Sequence, residues 1–383
     1  MPNRDSRPNS PPPARLLVRG VNWLGDAIMS TPALARLREA LPNAHLALLT
    51  HEKLAGLWEQ HPAINEVITF AKGESPWRVA RRVRAGRFDA ALILPNSFRS
   101  ALEAWLARIP RRIGYATHGR SLLLTERVAP RAEAVTMHKR SVAEVRALTD
   151  GSRAPETEFA TRSARPTAHH VHQYLQLAAA LGADATAQAP RLQVSASEQA
   201  RVRAAFFGKA EAAVGRAVTW FGLNPGAEYG AAKRWPVANF IAAAQAIHER
   251  TRCGWVIFGG PADREFAEQI CAAVPSAISV AGRTTLRELM VGLSLCRVVL
   301  TNDTGPMHVA AAVGTPVVVP FGSTSPELTG PGLPGDARHR LLKSNAPCAP
   351  CFLRECPIDF RCMKSITVER VVAAAIQAQA AER

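Results

Sequence analysis

The chain has 383 residues, enough for two domains, and 47% hydrophobic against 20% charged residues is a globular balance rather than a disordered one. No apolar run reaches the roughly 20 residues that a bilayer span requires, and the first fourteen residues lack the apolar stretch of a signal peptide. The net charge of +16 is uneven: residues 1–165 carry 26 basic and 15 acidic residues, and the remainder contributes only +5. A soluble, cytoplasmic protein is expected, with a disordered tail at 1–14. Seven scattered and clustered cysteines do not form a secreted disulfide framework. The basic first half suits an anionic partner: nucleic acid, an acidic membrane surface or a phosphorylated substrate. Arginine-rich composition alone is the other reading of the total.

The first half alternates short apolar runs with helical ones. Leu16–Val18 predicts a strand, Asp26–Leu41 a helix, Leu46–Leu49 a strand, and Glu52–Gln60 a short helix. Val67–Phe70 follows as a strand, Pro76–Ala85 as a basic helix, Ala90–Leu94 as a buried strand, Phe98–Arg108 as a helix, and Arg112–Tyr115 as a further segment. After a polar stretch from Gly151 to Thr167 and a helix near Val171–Leu181, the rhythm restarts. Strands are expected at Val218–Leu223, Trp255–Gly259, Ile278–Ala281, Val298–Thr301 and Val317–Phe321. Helices lie between and after them at Val237–Glu249, Arg264–Ala273, Leu286–Leu293 and Met307–Val313, and a last one spans Val368–Ala381. Strands that are apolar throughout, alternating with helices, predict parallel sheets covered on both faces. The fold class is therefore α/β, with two doubly wound, Rossmann-like domains facing a cleft. Boundaries are placed at 15–182, 183–364 and a C-terminal helix at 365–383. Ligands of such sheets sit outside the carboxyl ends of the strands.

Neither common nucleotide fingerprint is usable. A phosphate loop ending in Gly-Lys-Ser/Thr is absent, and the one Gly-x-Gly-x-x-Gly, Gly330–Gly335, follows the last strand and contains two prolines. Other strand ends carry the chemistry. Trp23-Leu24-Gly25-Asp26 joins the first strand to its helix, where Asp26 either aims a carboxylate at a ligand or caps the helix. Thr301-Asn302-Asp303-Thr304-Gly305 leads into the helix carrying His308 and offers backbone N–H groups to a diphosphate, or an Asp cap and a surface histidine. Asn224-Pro225-Gly226-Ala227-Glu228 runs on to Lys233-Arg234-Trp235-Pro236, with Lys233 suited to a leaving diphosphate or simply solvated. Gly259 and Asp263 end a third strand, where an acid can accept from ribose hydroxyls. Cys348, Cys351, Cys356 and Cys362 sit in a loop at 346–364 and leave three readings: a bound metal, a reduced structural loop, or redox pairing. Arginines at 78, 81, 82, 84 and 87, and at 108, 111 and 112, form two basic clusters with no interleaved aromatics for stacking single strands.

Three ordered motifs carry a resemblance: Trp23–Asp26 with Thr31-Pro32-Ala33, Asn224–Ala227 with Lys233–Pro236, and Thr301–His308. Over residues 15–375 the chain resembles the lipopolysaccharide heptosyltransferases. That resemblance implies a GT-B arrangement: an acceptor-binding first domain, a nucleotide-sugar second domain, and a last helix returning to the first. It implies inverting transfer of L-glycero-D-manno-heptose from ADP-heptose to the lipopolysaccharide inner core, with no required cofactor. Asp26 matches the family's general base. Lys233, Thr304 and Gly305 would steady the departing ADP, Asp303 would meet heptose hydroxyls, and Asp263 (or Glu265) the ribose. Gly25, Gly226, Glu228, Gly259, Thr284 and His308 complete the implied donor site, with the backbone near Thr284 at adenine. Arg78, Arg81, Arg82 and Arg112 are expected to meet a phosphorylated acceptor at the inner membrane surface, where the protein would bind peripherally. The Pro-Gly-Ala-Glu run resembles the branch of the family whose acceptor is the first heptose. Branches with other core acceptors are the alternative, and a nucleotide-sugar epimerase is the alternative outside the class. A nucleic-acid partner is not expected, because no nucleic-acid module accompanies the charge.

Overall fold

The computed structural model describes residues 11–117, 119–153, 157–215 and 217–380. The expected tail at 1–14 therefore lies largely outside the described residues. The chain divides into two compact units, one containing residues up to 134 together with 170–190, the other 135–169 together with 191 onward.

In the first unit, β1 (Arg15–Arg19), α1 (Leu24–Met29), α2 (Thr31–Ala40), β2 (His45–His51), β3 (Glu66–Phe70), α3 (Pro76–Ala85), β4 (Ala90–Ile93), α4 (Phe98–Leu106), β5 (Arg111–Tyr115) and β6 (Glu126–Val128) succeed one another. The sheet is wholly parallel, in the order β3-β2-β1-β4-β5-β6. Buried Leu17, Ala47, Leu49, Ala91 and Ile93 meet Val79, Val83, Ala101 and Ala104 from α3 and α4 in one core. The single helix expected over Asp26–Leu41 is broken at Ser30. Pro32 cannot donate a backbone N–H, and the Ser30 and Thr31 hydroxyls donate to the carbonyls of Ala27 and Ile28 instead.

The linking segment holds α5 (Val142–Thr149), α6 (Thr157–Ser163) and α7 (Val171–Ala179). The second unit continues with α8 (Ala196–Val202), α9 (Gly208–Val214), β7 (Trp220–Asn224), α10 (Val237–Thr251), β8 (Gly254–Ile257), α11 (Arg264–Ala273), β9 (Ala277–Ser279), α12 (Leu286–Ser294), β10 (Val299–Thr301), α13 (Gly305–Ala312) and β11 (Val317–Phe321). It ends with α14 (Pro326–Thr329), β12 (Arg340–Lys343), α15 (Arg361–Lys364) and α16 (Val368–Ala380). Its sheet is again parallel, in the order β12-β11-β10-β7-β8-β9. Counted within each unit, both sheets run 3-2-1-4-5-6, so the order reverses between β1 and β4 and between β7 and β10.

Two expectations change. α5 and α6 belong with the second unit, so no single cut near residue 182 separates the halves. The last helix, expected to return to the first domain, packs instead on α10, β11 and β12. Its buried face of Val371, Val372, Ala374, Ala375 and Ala378 is small enough to lie in the same core as Trp235, Phe240 and Trp255. The helix that packs on α2 of the first unit is α7, from mid-chain.

One buried ion pair anchors the first sheet. Arg19, at the end of β1, is 2% exposed and donates to Glu103 of α4 at 2.8 Å, while Arg99 donates to the other carboxylate oxygen at 2.9 Å. Arg19 also bonds Gly20 O and Asn22 Oδ1, and stacks 4.4 Å over Phe70, fixing the loop that leads to α1. Removing one partner of such a pair strands the other charge, which costs about 3–5 kcal/mol. Glu103→Leu should therefore lower the urea-unfolding free energy by about that much. The double variant Arg19→Leu/Glu103→Leu should recover most of the loss; a double variant as unstable as the sum of both singles contradicts this account.

Candidate active site

The second unit builds its site at the reversal point of its sheet. Parallel pairing sets Leu223 beside Leu300 and Asn224 beside Thr301, so both strands release their chains at one level. Asn302, fully buried, then clamps the loop that follows β7. Its Oδ1 accepts from Trp235 N–H at 2.9 Å, and its Nδ2 donates to Pro225 O at 2.7 Å. The buried Trp235 indole donates to Ile366 O at 2.9 Å and meets Phe240 edge-on. Between these fixed ends a short 3₁₀ turn, Ala231–Lys233, presents Lys233.

Lys233 Nζ donates to Asp303 Oδ2 at 2.6 Å, and Thr324 Oγ1 donates to the same oxygen at 2.5 Å. The ammonium also lies 5.0 Å over the Tyr229 ring, whose hydroxyl donates to Phe352 O. An ammonium has three N–H bonds; with one directed at Asp303, two remain for a ligand's oxygens. The sequence left Lys233 as either a ligand contact or a solvated lysine, and the structure makes it a held, mostly buried cation.

The α13 start lies beside this pair. Thr304 is its N-cap in extended backbone, with no side-chain bond to the helix amides, so the cap does not occupy the positive end of the helix dipole. His308 is not a surface residue. It is buried, its Nδ1 has no hydrogen-bond partner, and burial lowers its pKa to about 4, with Lys233 and His339 adding to the effect and Asp303 opposing it. A neutral imidazole with an unpaired buried nitrogen next to a cation is a group fitted for a further polar partner.

Gly226 and Gly259 are explained by Asp263. A Cβ on Gly226 would lie 2.4 Å from Asp263 Oδ1, and one on Gly259 would lie 2.7 Å from Asp263 Cβ. The glycines thus admit the carboxylate between the ends of β7 and β8, where it also accepts from Gly260 N–H at 2.9 Å. Glu265, the alternative acid, is exposed on α11 and takes a bond from Gln269 at 3.4 Å. Thr284 is half-buried in the turn before α12, and Glu228 is exposed on the β7 loop.

In the first unit, Gly25 and Asp26 lie in the opening turn of α1, past the end of β1. The N-cap is Trp23. Asp26 Oδ1 accepts from the Tyr174 hydroxyl of α7 at 3.0 Å. Burial, together with the Asp26 charge, holds the Tyr174 phenol well above its ordinary range. Burial lowers His170, and Asp26 partly offsets this. His170 and Tyr174 were not anticipated. Their four-residue spacing, with His170 at the N-cap of α7 and Tyr174 one turn on, is the signal that was there to use.

The proposed acceptor arginines separate. Arg82 bonds Glu74 and Thr69 O, and Arg112 spends its guanidinium on the carbonyls of Leu123 and Ile109. Arg78 and Arg81 project from α3. All seven cysteines are free thiols, with Cys348, Cys351 and Cys362 buried and Cys356 accepting from Phe360 N–H. Burial and the neighbouring cysteines push Cys362 up to about 12. Among the described residues no group of three or more His, Cys, Asp or Glu is arranged to hold a metal ion.

The family profile of glycosyltransferase family 9 (heptosyltransferase) matches residues 76–159 and 135–360. Lipopolysaccharide heptosyltransferase 2 of Salmonella typhimurium is 31% identical over 336 residues, covering 83% of this chain and 85% of that protein. Lipooligosaccharide heptosyltransferase 2 of Haemophilus ducreyi is 29% identical over 331 residues, 83% of this chain and 86% of that one. The solved structure of Escherichia coli ADP-heptose LPS heptosyltransferase II superposes with a TM-score of 0.71 at 26% identity, covering 95% of this chain and 98% of that one.

The histidine burial makes a test. The folded pKa of about 4 for His308 lies below the ordinary 6.5, so the unfolded chain binds more protons between those values. Stability therefore falls as pH drops from 6.5 toward 4, by roughly 3 kcal/mol for this group. A titration of the His308 ring by NMR should give a midpoint near 4, and a midpoint near 6.5 would contradict the buried, neutral assignment.

Proposed function

The chain belongs to glycosyltransferase family 9, the heptosyltransferases, and from that premise we propose that it moves L-glycero-D-manno-heptose from ADP-heptose to the first heptose of the lipopolysaccharide inner core. The observation that carries the donor half is the Lys233–Asp303–Thr324 cluster beside the uncapped start of α13. The relatives numbered heptosyltransferase 2 support the choice of acceptor.

The reaction is a direct displacement with inversion. A bond forms from the acceptor hydroxyl oxygen to the anomeric carbon as the bond from that carbon to the ADP oxygen breaks. Asp26 takes the hydroxyl proton as the new bond forms. Tyr174 occupies one Asp26 oxygen and so orients the carboxylate. Negative charge grows on the departing diphosphate, and Lys233 with the Thr304 and Gly305 amides offsets it. Asp303 holds Lys233 in place and faces the sugar hydroxyls, Asp263 accepts from the ribose, and the backbone near Thr284 meets adenine. Gly25, Gly226 and Gly259 let backbone approach the donor, and Glu228 and His308 add polar contacts. The four cysteines stay outside these steps. The protein works at the cytoplasmic face of the inner membrane as a peripheral protein, and no described helix is long and apolar enough to cross it.

Four measurements check this reading. Asp26→Asn should cut turnover by about 10²–10⁴ while ADP-heptose affinity is kept, and near-normal turnover would remove Asp26 as base. Tyr174→Phe should shift the acidic limb of the kcat/KM profile upward in pH, because the carboxylate loses a donor that favours its charged form. An unmoved limb would make Tyr174 purely structural. Lys233→Ala should weaken ADP binding and slow transfer together. With acceptors carrying zero, one or two heptoses, product from the one-heptose acceptor alone is expected; product from the heptose-free acceptor would reassign the branch.

A further inference from the structure

The outer face of α3 and α4 carries groups that the transfer reaction does not use. Three large apolar side chains point away from the core there: Trp77 is 70% exposed, Phe98 50% and Trp105 47%. On α4, Phe98, half-buried Leu102 and Trp105 follow the i, i+4, i+7 spacing of one stripe, while Ala101 and Ala104 fill the opposite, core-facing side. An amphipathic helix whose bulky apolar stripe faces outward, while its buried side holds only Ser100, Ala101, Glu103 and Ala104, lacks a partner for that stripe.

Charge is gathered on the same pair of packed helices. Arg84, Arg87 and Arg108 line a surface cavity of about 280 Å³ with Val83, Phe88 and Ile109. Among the described residues, none of these three guanidiniums makes a hydrogen bond or lies within ion-pair distance of a carboxylate. Arg78 and Arg81 are exposed on α3 beside them. Of the nearby acids, Glu74 is paired with Arg82, Glu103 is buried with Arg19 and Arg99, and exposed Asp89 accepts from the Arg15 backbone N–H. Three unpaired guanidiniums around one small cavity, next to outward tryptophans, match a phosphate-bearing headgroup layer with apolar chains beneath it.

We propose that the α3–α4 face is a membrane-docking surface: the Arg84–Arg87–Arg108 cavity takes the phosphates of anionic lipids, and Trp77, Phe98 and Trp105 enter the interface. The proposal rests on the reading that the acceptor is membrane-anchored, and it names the surface that reading lacks. Arginines near an anionic bilayer each add to binding and the contribution is screened by salt, while interfacial aromatics add a term that salt does not remove.

Sedimentation of the full chain with vesicles of phosphatidylglycerol in phosphatidylcholine, against phosphatidylcholine alone, tests it. Arg84→Ser/Arg87→Asn/Arg108→Asn should lower partition into the anionic vesicles at least about tenfold, as should Trp77→Ser/Phe98→Ser/Trp105→Ser. Asn is chosen at 87 and 108 because both residues have positive φ, +47° and +59°, which Asn tolerates. A control that removes three charges elsewhere, Arg201→Ser/Lys209→Ser/Arg250→Ser, should change partition by no more than about twofold. Transfer to a water-soluble acceptor fragment should be unaltered in both face variants, which shows that they fold. Equal loss in the control, unchanged partition in the face variants, or an arginine effect with no aromatic effect would overturn the surface. Vesicle binding that behaves as expected while no acceptor receives heptose would leave the surface standing and remove the transfer reading instead.

Discussion

The parallel pairing of β7 with β10 is the constraint on which the second unit's chemistry depends. These strands are separated by about 75 residues of chain, yet their register places Asn224 opposite Thr301. A slip would move the Lys233 loop relative to Asp303 by about one residue rise, some 3.3 Å, more than a hydrogen bond can absorb. Asn302 reinforces the register by bonding both ends of the β7 loop from its place just past β10. The ion pair between Lys233 and Asp303 is thus a product of strand pairing, and the direction of the ammonium is set by it.

Buried polar side chains do the equivalent task in both units. In the first, Arg19 joins the end of β1 to α4 through Glu103, and Arg120 reaches the carbonyls of Tyr115, at the end of β5, and Pro95, past β4. The cost of burying these cations is visible in their lowered pKa values, with burial as the leading cause. Such groups add little net stability compared with apolar packing, but they fix the loops at the carboxyl ends of the strands. Asp26 follows one of those loops. Loops that carry reacting groups gain from that rigidity, since misplacement by an ångström is expensive in rate.

The two faces of the first sheet divide the work. α7 supplies Tyr174 to Asp26, whereas α3 and α4 present arginine and tryptophan outward. The polar cluster around Asp26 and the outward helix face can coexist on one domain because a doubly wound sheet separates strand ends from helix faces. In the second unit, Cys348 and Cys351 pack with Val145 and Leu148 of α5, and Cys362 lies in the core near α16.

Periodicity made most strands and helices legible, because buried parallel strands are continuous apolar runs and their covering helices keep a 3.6-residue stripe. The short edge strands β6 and β12 were invisible to it: Glu126-Arg127-Val128 and Arg340–Lys343 are short and carry charges, as edges readily do, so neither forms a continuous apolar run. Asp26, Lys233, Asp303 and Asp263 were legible as strand-end residues, since strand-to-helix junctions are where such sheets expose polar groups. What the sequence could not contain was the spatial order 3-2-1-4-5-6, the pairing of Lys233 with Asp303, the Tyr174 bond to Asp26 and the core placement of α16. Local pattern determines which segments become strands and helices and where their ends fall. Which ends meet is decided by non-local strand pairing and core volume, and these exist only once the chain has folded.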